Sequence, residues 1–255
     1  MIEIRDVIAA AASAAVGFPL GLLGCRLLNT IPAKWLCDYD EEPTEELLNG
    51  VRFKTKPHGI AMGVILSVLS AALMLTNLLT FRSVLGVLLF AVLAAIAAAD
   101  IKYQIIPDQF TAAAAVIAAA YAVTDVIADQ VINDKWYDPL IGCAVGGGIL
   151  MIMDIFSFLV LKKEGFGFGD IKLLAALGIM FGWKYILVIM VMASLVAAVH
   201  FLILIFMHNG KTDEGTYLPM APYLCIGTAI TLVCMPWLEK LFELYGTVLG
   251  MTYLP

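Results

Sequence analysis

Charge is what this sequence has least of. Only 14% of its 255 residues are Asp, Glu, Lys or Arg, while 62% are apolar; an average soluble domain is about 25% charged. A soluble fold of this length could not cover its surface with so few ionic groups. The balance of sign also argues against a polyanion partner. With a net charge of −6 and this apolar excess, neither a basic nucleic-acid-binding surface nor a disordered chain fits. Metal-ligand patterns are scarce too. The five cysteines include no C-x-x-C pair, and His58, His200 and His208 lack the spacing of a metal site. Ser13, Ser67, Ser70, Ser157 and Ser194 have no base nearby, so a serine nucleophile is not supported.

What remains is an all-α, polytopic membrane bundle. Charge is absent from 7–25, 60–81, 83–99, 110–124, 185–207 and, after a polar start, most of 215–238. Lengths near 20 residues fit a bilayer core of about 30 Å at a rise of about 1.5 Å per residue. Residues 139–161 make a further span, interrupted by Asp154, and 173–183 can cross only if the helix starts near Gly169. This predicts about eight transmembrane helices. The start MIEIRD is not the basic head of a cleavable signal, so the first apolar run reads as a retained span.

Ten of the 15 Lys and Arg residues fall in the connections 26–59, 100–109, 162–172 and 208–217, and the other five fall on the opposite side. The bias puts these connections in the cytoplasm and both termini outside. Residues 1–59 then form one transmembrane helix and a cytoplasmic loop, and residues 60–255 a membrane-embedded domain. The loop carries an acidic run, Asp38, Asp40, Glu41, Glu42, Glu45 and Glu46, most simply a solvated face. Gly142, Gly146, Gly147 and Gly148 read as a helix-packing surface.

Ionisable groups at membrane depth are costly and mark candidate sites. Three carboxylates qualify: Asp100, Asp154 and Asp170. Asp100 ends the third span, at the unfavourable negative end of a helix dipole, and is followed by Ile106-Pro107-Asp108. Pro107 breaks the helix and Asp108 can cap the next one. Asp170 follows three alternating glycines, Gly165, Gly167 and Gly169, that bend the chain into a helix. The topology puts Asp100 and Asp170 on one side of the membrane. Two carboxylates a few ångströms apart resist double ionisation and can share a proton, which is the chemistry of an aspartic protease.

The segments Asp100–Asp108 (DIKYQIIPD), Gly165–Gly178 (GFGFGDIKLLAALG) and Pro219–Leu224 (PMAPYL) resemble the type IV prepilin peptidases, GxGD-type intramembrane aspartic proteases. The resemblance implies that Asp100 and Asp170 form the catalytic pair. Gly167, Gly169, Lys172, Pro107 and Asp108 would complete the motifs, with Asp108 shaping its turn. It implies a bacterial or archaeal cytoplasmic membrane and no metal. The substrate it implies is a type IV prepilin or pseudopilin with a basic leader and an apolar helix. Proteolysis would need no cofactor; S-adenosylmethionine would enter only with a second, N-methylating activity. Here the first cytoplasmic loop has a single cysteine, Cys37, where many relatives have two C-x-x-C pairs, and the N-terminal Gly21–Pro32 segment is out of register with theirs. The rival is a small proton- or cation-coupled transporter. Asp154, which the resemblance does not explain, favours it; the missing inverted repeat weighs against it.

Overall fold

A charge-free run inside a bilayer has to satisfy its own backbone, and a helix does so within one segment. The computed structural model describes residues 4–37, 42–49, 52–76, 81–127, 135–162, 165–207 and 219–248, and these contain helices and no strand. In chain order the α-helices are α1 (Ile4–Thr30), the short α2 (Glu45–Asn49), α3 (Ile60–Thr76), α4 (Phe81–Tyr103), α5 (Asp108–Ile127), α6 (Asp138–Leu161), α7 (Phe168–Met207), α8 (Ala221–Val233) and α9 (Met235–Val248). Five helical segments are long and apolar enough to cross a membrane, and the α8–α9 pair, bent by 73°, makes a sixth. Asp38, Asp40, Glu41, Lys163, Glu164, His208 and Lys211 lie outside the described residues.

One boundary differs from the sequence reading and one is sharpened. The predicted sixth and seventh spans, 169–183 and 185–207, follow each other without a loop as α7. Its 40 residues are interrupted at Gly182, whose φ of 62° is open to glycine and strained for other residues. Past that point Ile186 comes back beside Gly146, which also faces the Leu174 carbonyl. The chain therefore doubles back at Gly182, and α7 is two antiparallel arms. The predicted last span, which ran to residue 238, instead breaks at Cys234. Pro236 explains the break: it has no N–H to donate, and its ring excludes the carbonyl four residues earlier.

Helix packing depends on small residues where backbones meet. A Cβ on Gly178 would stand 2.1 Å from the Gly142 carbonyl oxygen, and one on Gly21 would stand 2.4 Å from the Gly63 nitrogen. These glycines let α6 close on α7 and α1 on α3. Gly146 and Gly147 also face α7, while Gly148 faces open space. The core lies around α4 and the first arm of α7, where Phe90, Ile96, Leu173, Leu174, Leu177 and Phe181 are fully buried.

One buried ion pair escaped the charge reading, which assigned Asp125 to a connection. Asp125 is fully buried on α5, and Arg82 Nη1 at the start of α4 lies 3.2 Å from its Oδ1. The pair clamps two consecutive helices at one end of the bundle. The carboxylates Asp100, Asp108, Asp154 and Asp170, treated below, gather at the other end.

The α6–α7 contact generates a direct test. Gly142→Ala and Gly178→Ala should each lower stability by about 1–3 kcal/mol, the usual cost of overpacking. Gly148→Ala should cost nothing, since no heavy atom lies within 4 Å of its added Cβ. Thermal or denaturant unfolding in detergent micelles reads the difference.

Candidate active site

The site is assembled from the ends of four helices. Asp100 lies on the last turn of α4 and is 5% exposed. The Gln104 N–H donates to its backbone carbonyl at 2.9 Å, and Gln104, with φ 56°, turns the chain out of the helix. The Asp100 side chain points to the first residue of α8: the Ala221 N–H donates to Oδ2 at 3.1 Å. The N-terminal amides of a helix have no partner within it and carry its positive dipole end. The unfavourable position of Asp100 on its own helix is thus offset by the start of another.

Asp170 lies on the first turn of α7 and is likewise 5% exposed. Its N–H donates to the Gly167 carbonyl at 3.0 Å, starting the helix. Its Oδ1 is buried and has no hydrogen-bond partner among the described residues. A buried carboxylate oxygen without a donor is expensive, and in native structures such a group calls for an explanation. Asp100 supplies the context, since the two carboxylates lie within electrostatic reach of each other and of Cys225 on α8. The structure thus brings together the two residues that the sequence singled out, from 70 positions apart in the chain.

Each glycine before Asp170 meets a different neighbour. A Cβ at Gly165 would stand 2.8 Å from the Ser157 Cβ on α6, and one at Gly169 would stand 2.9 Å from the Ile106 Cβ in the α4–α5 turn. A Cβ at Gly167 would face the Asp170 Oδ2 at 3.4 Å. The loop is therefore pressed between α6 and the turn that follows Asp100. Pro107 is buried in that turn, and its carbonyl accepts from the N–H groups of Phe110 and Thr111, opening α5. The Asp108 side chain reaches across to Lys172, whose Nζ lies 2.8 Å from its Oδ1. Lys172 also covers the Phe168 ring, 4.6 Å from its centroid. This exposed pair ties the starts of α5 and α7 together, so both motifs share one contact.

Asp154, which the family motifs do not explain and whose simplest reading is structural, does have a structural role. Its Oδ1 accepts from the Gly165 N–H at 2.8 Å and the Phe166 N–H at 3.1 Å. It sits within α6 and holds the glycine loop five residues before Asp170. Sequence reasoning flagged this carboxylate but could not name its partners, because they are backbone amides. It missed the amide at Ala221 for the same reason; the Pro219–Leu224 segment was the only signal. His200 is also engaged: its Nδ1 lies 2.6 Å from the Tyr223 hydroxyl. Among the described residues no three His, Cys, Asp or Glu side chains are grouped as metal ligands.

Residues 87–202 match the model of the type IV leader peptidase family, a range that contains Asp100, Asp108, Asp154, Gly167, Gly169, Asp170 and Lys172. Three curated relatives are named prepilin leader peptidase/N-methyltransferase. That of Aeromonas salmonicida is 36% identical over 96 residues, covering 38% of this chain and 32% of the relative. That of Escherichia coli K12 is 30% identical over 144 residues, covering 55% and 58%. That of Aeromonas hydrophila is 29% identical over 181 residues, covering 71% and 59%. The chain thus spans between a third and three fifths of the length of these relatives. No solved structure matches it.

The loop clamp has a readout independent of any activity. Asp154→Ala should speed hydrogen exchange at the Gly165 and Phe166 amides by about 10- to 100-fold, the equivalent of a lost hydrogen bond to a charged group. Asp154→Asn keeps an acceptor oxygen and should leave both amides protected. Exchange measured by mass spectrometry on the loop peptide separates the two variants.

Proposed function

We propose, from the match of residues 87–202 to the type IV leader peptidase family, that this multi-pass membrane protein is an aspartic endopeptidase. In this reading it removes the basic leader of a type IV prepilin or pseudopilin at the cytoplasmic face of a bacterial or archaeal cytoplasmic membrane. The observation that carries the reading is the pair of buried carboxylates at one end of the bundle. Asp100 is oriented by the Ala221 N–H, and Asp170 has an oxygen still lacking a donor.

The chemistry needs only this pair, a water and the peptide. With one proton shared between them, one carboxylate takes a proton from water as its oxygen attacks the scissile carbonyl carbon. The other donates its proton to the carbonyl oxygen. Collapse of the tetrahedral diol breaks the C–N bond, and the nitrogen leaves with a proton returned by the pair. Asp108, Lys172, Pro107, Gly167 and Gly169 act by fixing the two turns from which the carboxylates project.

The reading keeps eight crossings with both termini outside. Residues 1–59 supply a helix and a cytoplasmic loop, and residues 60–255 the peptidase domain. It extends to proteolysis alone. Two polar side chains of the N-terminal segment tie its described parts together. Asn29 exchanges two hydrogen bonds with Phe53, and Arg52 donates to the Ile31 and Leu47 carbonyls. The transporter reading loses the feature that favoured it, because Asp154 Oδ1 is engaged by Gly165 and Phe166.

Purified protein should cleave a prepilin, and Asp100→Ala and Asp170→Ala should each reduce the rate by about 10²- to 10⁴-fold, the usual contribution of general acid–base catalysis. Undiminished cleavage by either variant would sink the mechanism. Proton or cation flux into proteoliposomes without any proteolysis would restore the transporter.

A further inference from the structure

Three of the four tryptophans gather at the end of the bundle opposite the carboxylates. Trp136 precedes α6 and Trp183 follows the reversal at Gly182. These two points meet, because a Cβ on Gly142, one turn into α6, would stand 2.6 Å from the Gly182 Cα. Trp237 on α9 joins them through Phe242, whose ring centroid lies 5.6 Å from that of Tyr185. All three indoles are exposed. Trp35 lies at the other end, in a short helical turn whose Leu36 packs on Ala99 beside Asp100. Tryptophan collects at the two membrane–water boundaries, so these groups mark the two boundaries of the bundle.

α9 is built for the boundary where Trp237 lies. It leaves α8 at an angle of 73°, so α8 runs along the bundle and α9 runs across its end. At about 3.6 residues per turn, the residues of α9 fall into three arcs. Met235, Leu238 and Phe242 pack on the core. Trp237, Leu241, Leu244 and Tyr245, at the spacing i, i+4, i+7 and i+8, form an exposed apolar stripe. Lys240, Glu243 and Thr247 are exposed on a polar arc, across the helix from the packing arc and the stripe taken together. With Glu239, α9 carries three ionisable side chains in 14 residues, which a helix surrounded by acyl chains could not keep. Its apolar stripe is equally unsuited to water. Glu239 lies within electrostatic reach of Arg82 and Asp125, which ties α9 to the clamp between α4 and α5.

We infer that α9 lies along the membrane–water interface at this end of the bundle, with Trp237, Leu241, Leu244 and Tyr245 among lipid acyl chains and Lys240, Glu243 and Thr247 in water. The partner of the stripe is lipid. A helix with segregated apolar and charged arcs lies in the plane of the interface, its apolar side sunk just below the head groups. The rings of Trp237 and Tyr245 suit that depth, being apolar with one polar atom. The inference needs only that the apolar helices span a membrane and is independent of the peptidase reading. It also fixes the depth of the carboxylates. Leu232, at the end of α8, lies 3.3 Å from where a Cβ on Gly86 would stand. From Gly86 to Asp100 is 14 residues of α4, about 21 Å along the helix axis. With α9 at one boundary of a core of about 30 Å, Asp100 falls in the opposite half of the bilayer.

Two measurements on the full-length chain in phosphatidylcholine vesicles test the placement. In the first, Trp35→Phe, Trp136→Phe and Trp183→Phe together leave Trp237 as the only fluorophore of its kind. Its emission should be quenched more strongly by lipids brominated near the head group than by lipids brominated near the chain ends. The second adds one cysteine at a time to the otherwise unaltered chain and supplies a water-soluble maleimide on both sides of the membrane. Labelling is read by mass spectrometry on the tryptic peptide after Lys240, which holds no native cysteine. Glu243→Cys and Thr247→Cys should react at least about 10-fold faster than Leu241→Cys and Leu244→Cys, the protection expected below the head groups. Equally fast labelling at all four positions would put α9 in water and overturn the inference. Stronger quenching from the chain ends, with slow labelling at all four, would put α9 inside the hydrocarbon and overturn it too. So would disulfide-linked dimers of Leu241→Cys or Leu244→Cys, which would give the stripe to a second copy of the chain.

Discussion

The hydrogen bond from the Ala221 N–H to Asp100 sets the arrangement of the whole bundle end. A carboxylate at membrane depth cannot rely on water and has to find its donors within the protein. Asp100 projects from a helix end whose own free groups are carbonyls, which cannot donate. The donor has to come from elsewhere, and the start of α8 provides it. This fixes α8 against α4, and α8 in turn packs along the second arm of α7, where a Cβ on Gly227 would stand 2.9 Å from the Ala193 nitrogen. The reversal at Gly182 is what allows one element to contribute both Asp170 at its start and this packing arm further on.

The two carboxylates are supported unequally, and the difference matches what their loops provide. Asp100 is held directly by an amide. Asp170 is held through its backbone by a loop that is itself clamped, by Asp154 on one side and by Ile106 against Gly169 on the other. Its carboxylate keeps an uncommitted oxygen. The proposed mechanism asks for at least one oxygen not already satisfied by the fold, and the clamped loop leaves one free.

Much of this was legible in the chain, for physical reasons. Charge-free runs of membrane length have few structural options, so the helices and the positions of Asp100 and Asp170 followed from composition and motif. What stayed hidden depended on partners that carry no side-chain signature. Asp154 and Asp100 bind backbone amides, which look alike at every residue. The reversal between 169–183 and 185–207 followed from the two predicted spans, but not that it is made without a loop, by the φ angle of Gly182 alone. Asp125 was misread because it lies one residue beyond an apolar run; only the packing of α4 on α5 shows that Arg82 meets it inside the bundle. Pro236 was the exception, a readable breaker inside a run that was taken as continuous.

The division between matched and unmatched segments has a consequence for how such a protein diverges. Both carboxylates, their turns and the clamp on the glycine loop lie within residues 87–202. The donor to Asp100 is different: Ala221, at the start of α8, lies beyond that range. The matched segment therefore carries both carboxylates, while the amide that orients one of them comes from a helix outside it. A change on α8 that shifted its first turn would leave every side chain of the matched segment in place and still take the donor from Asp100.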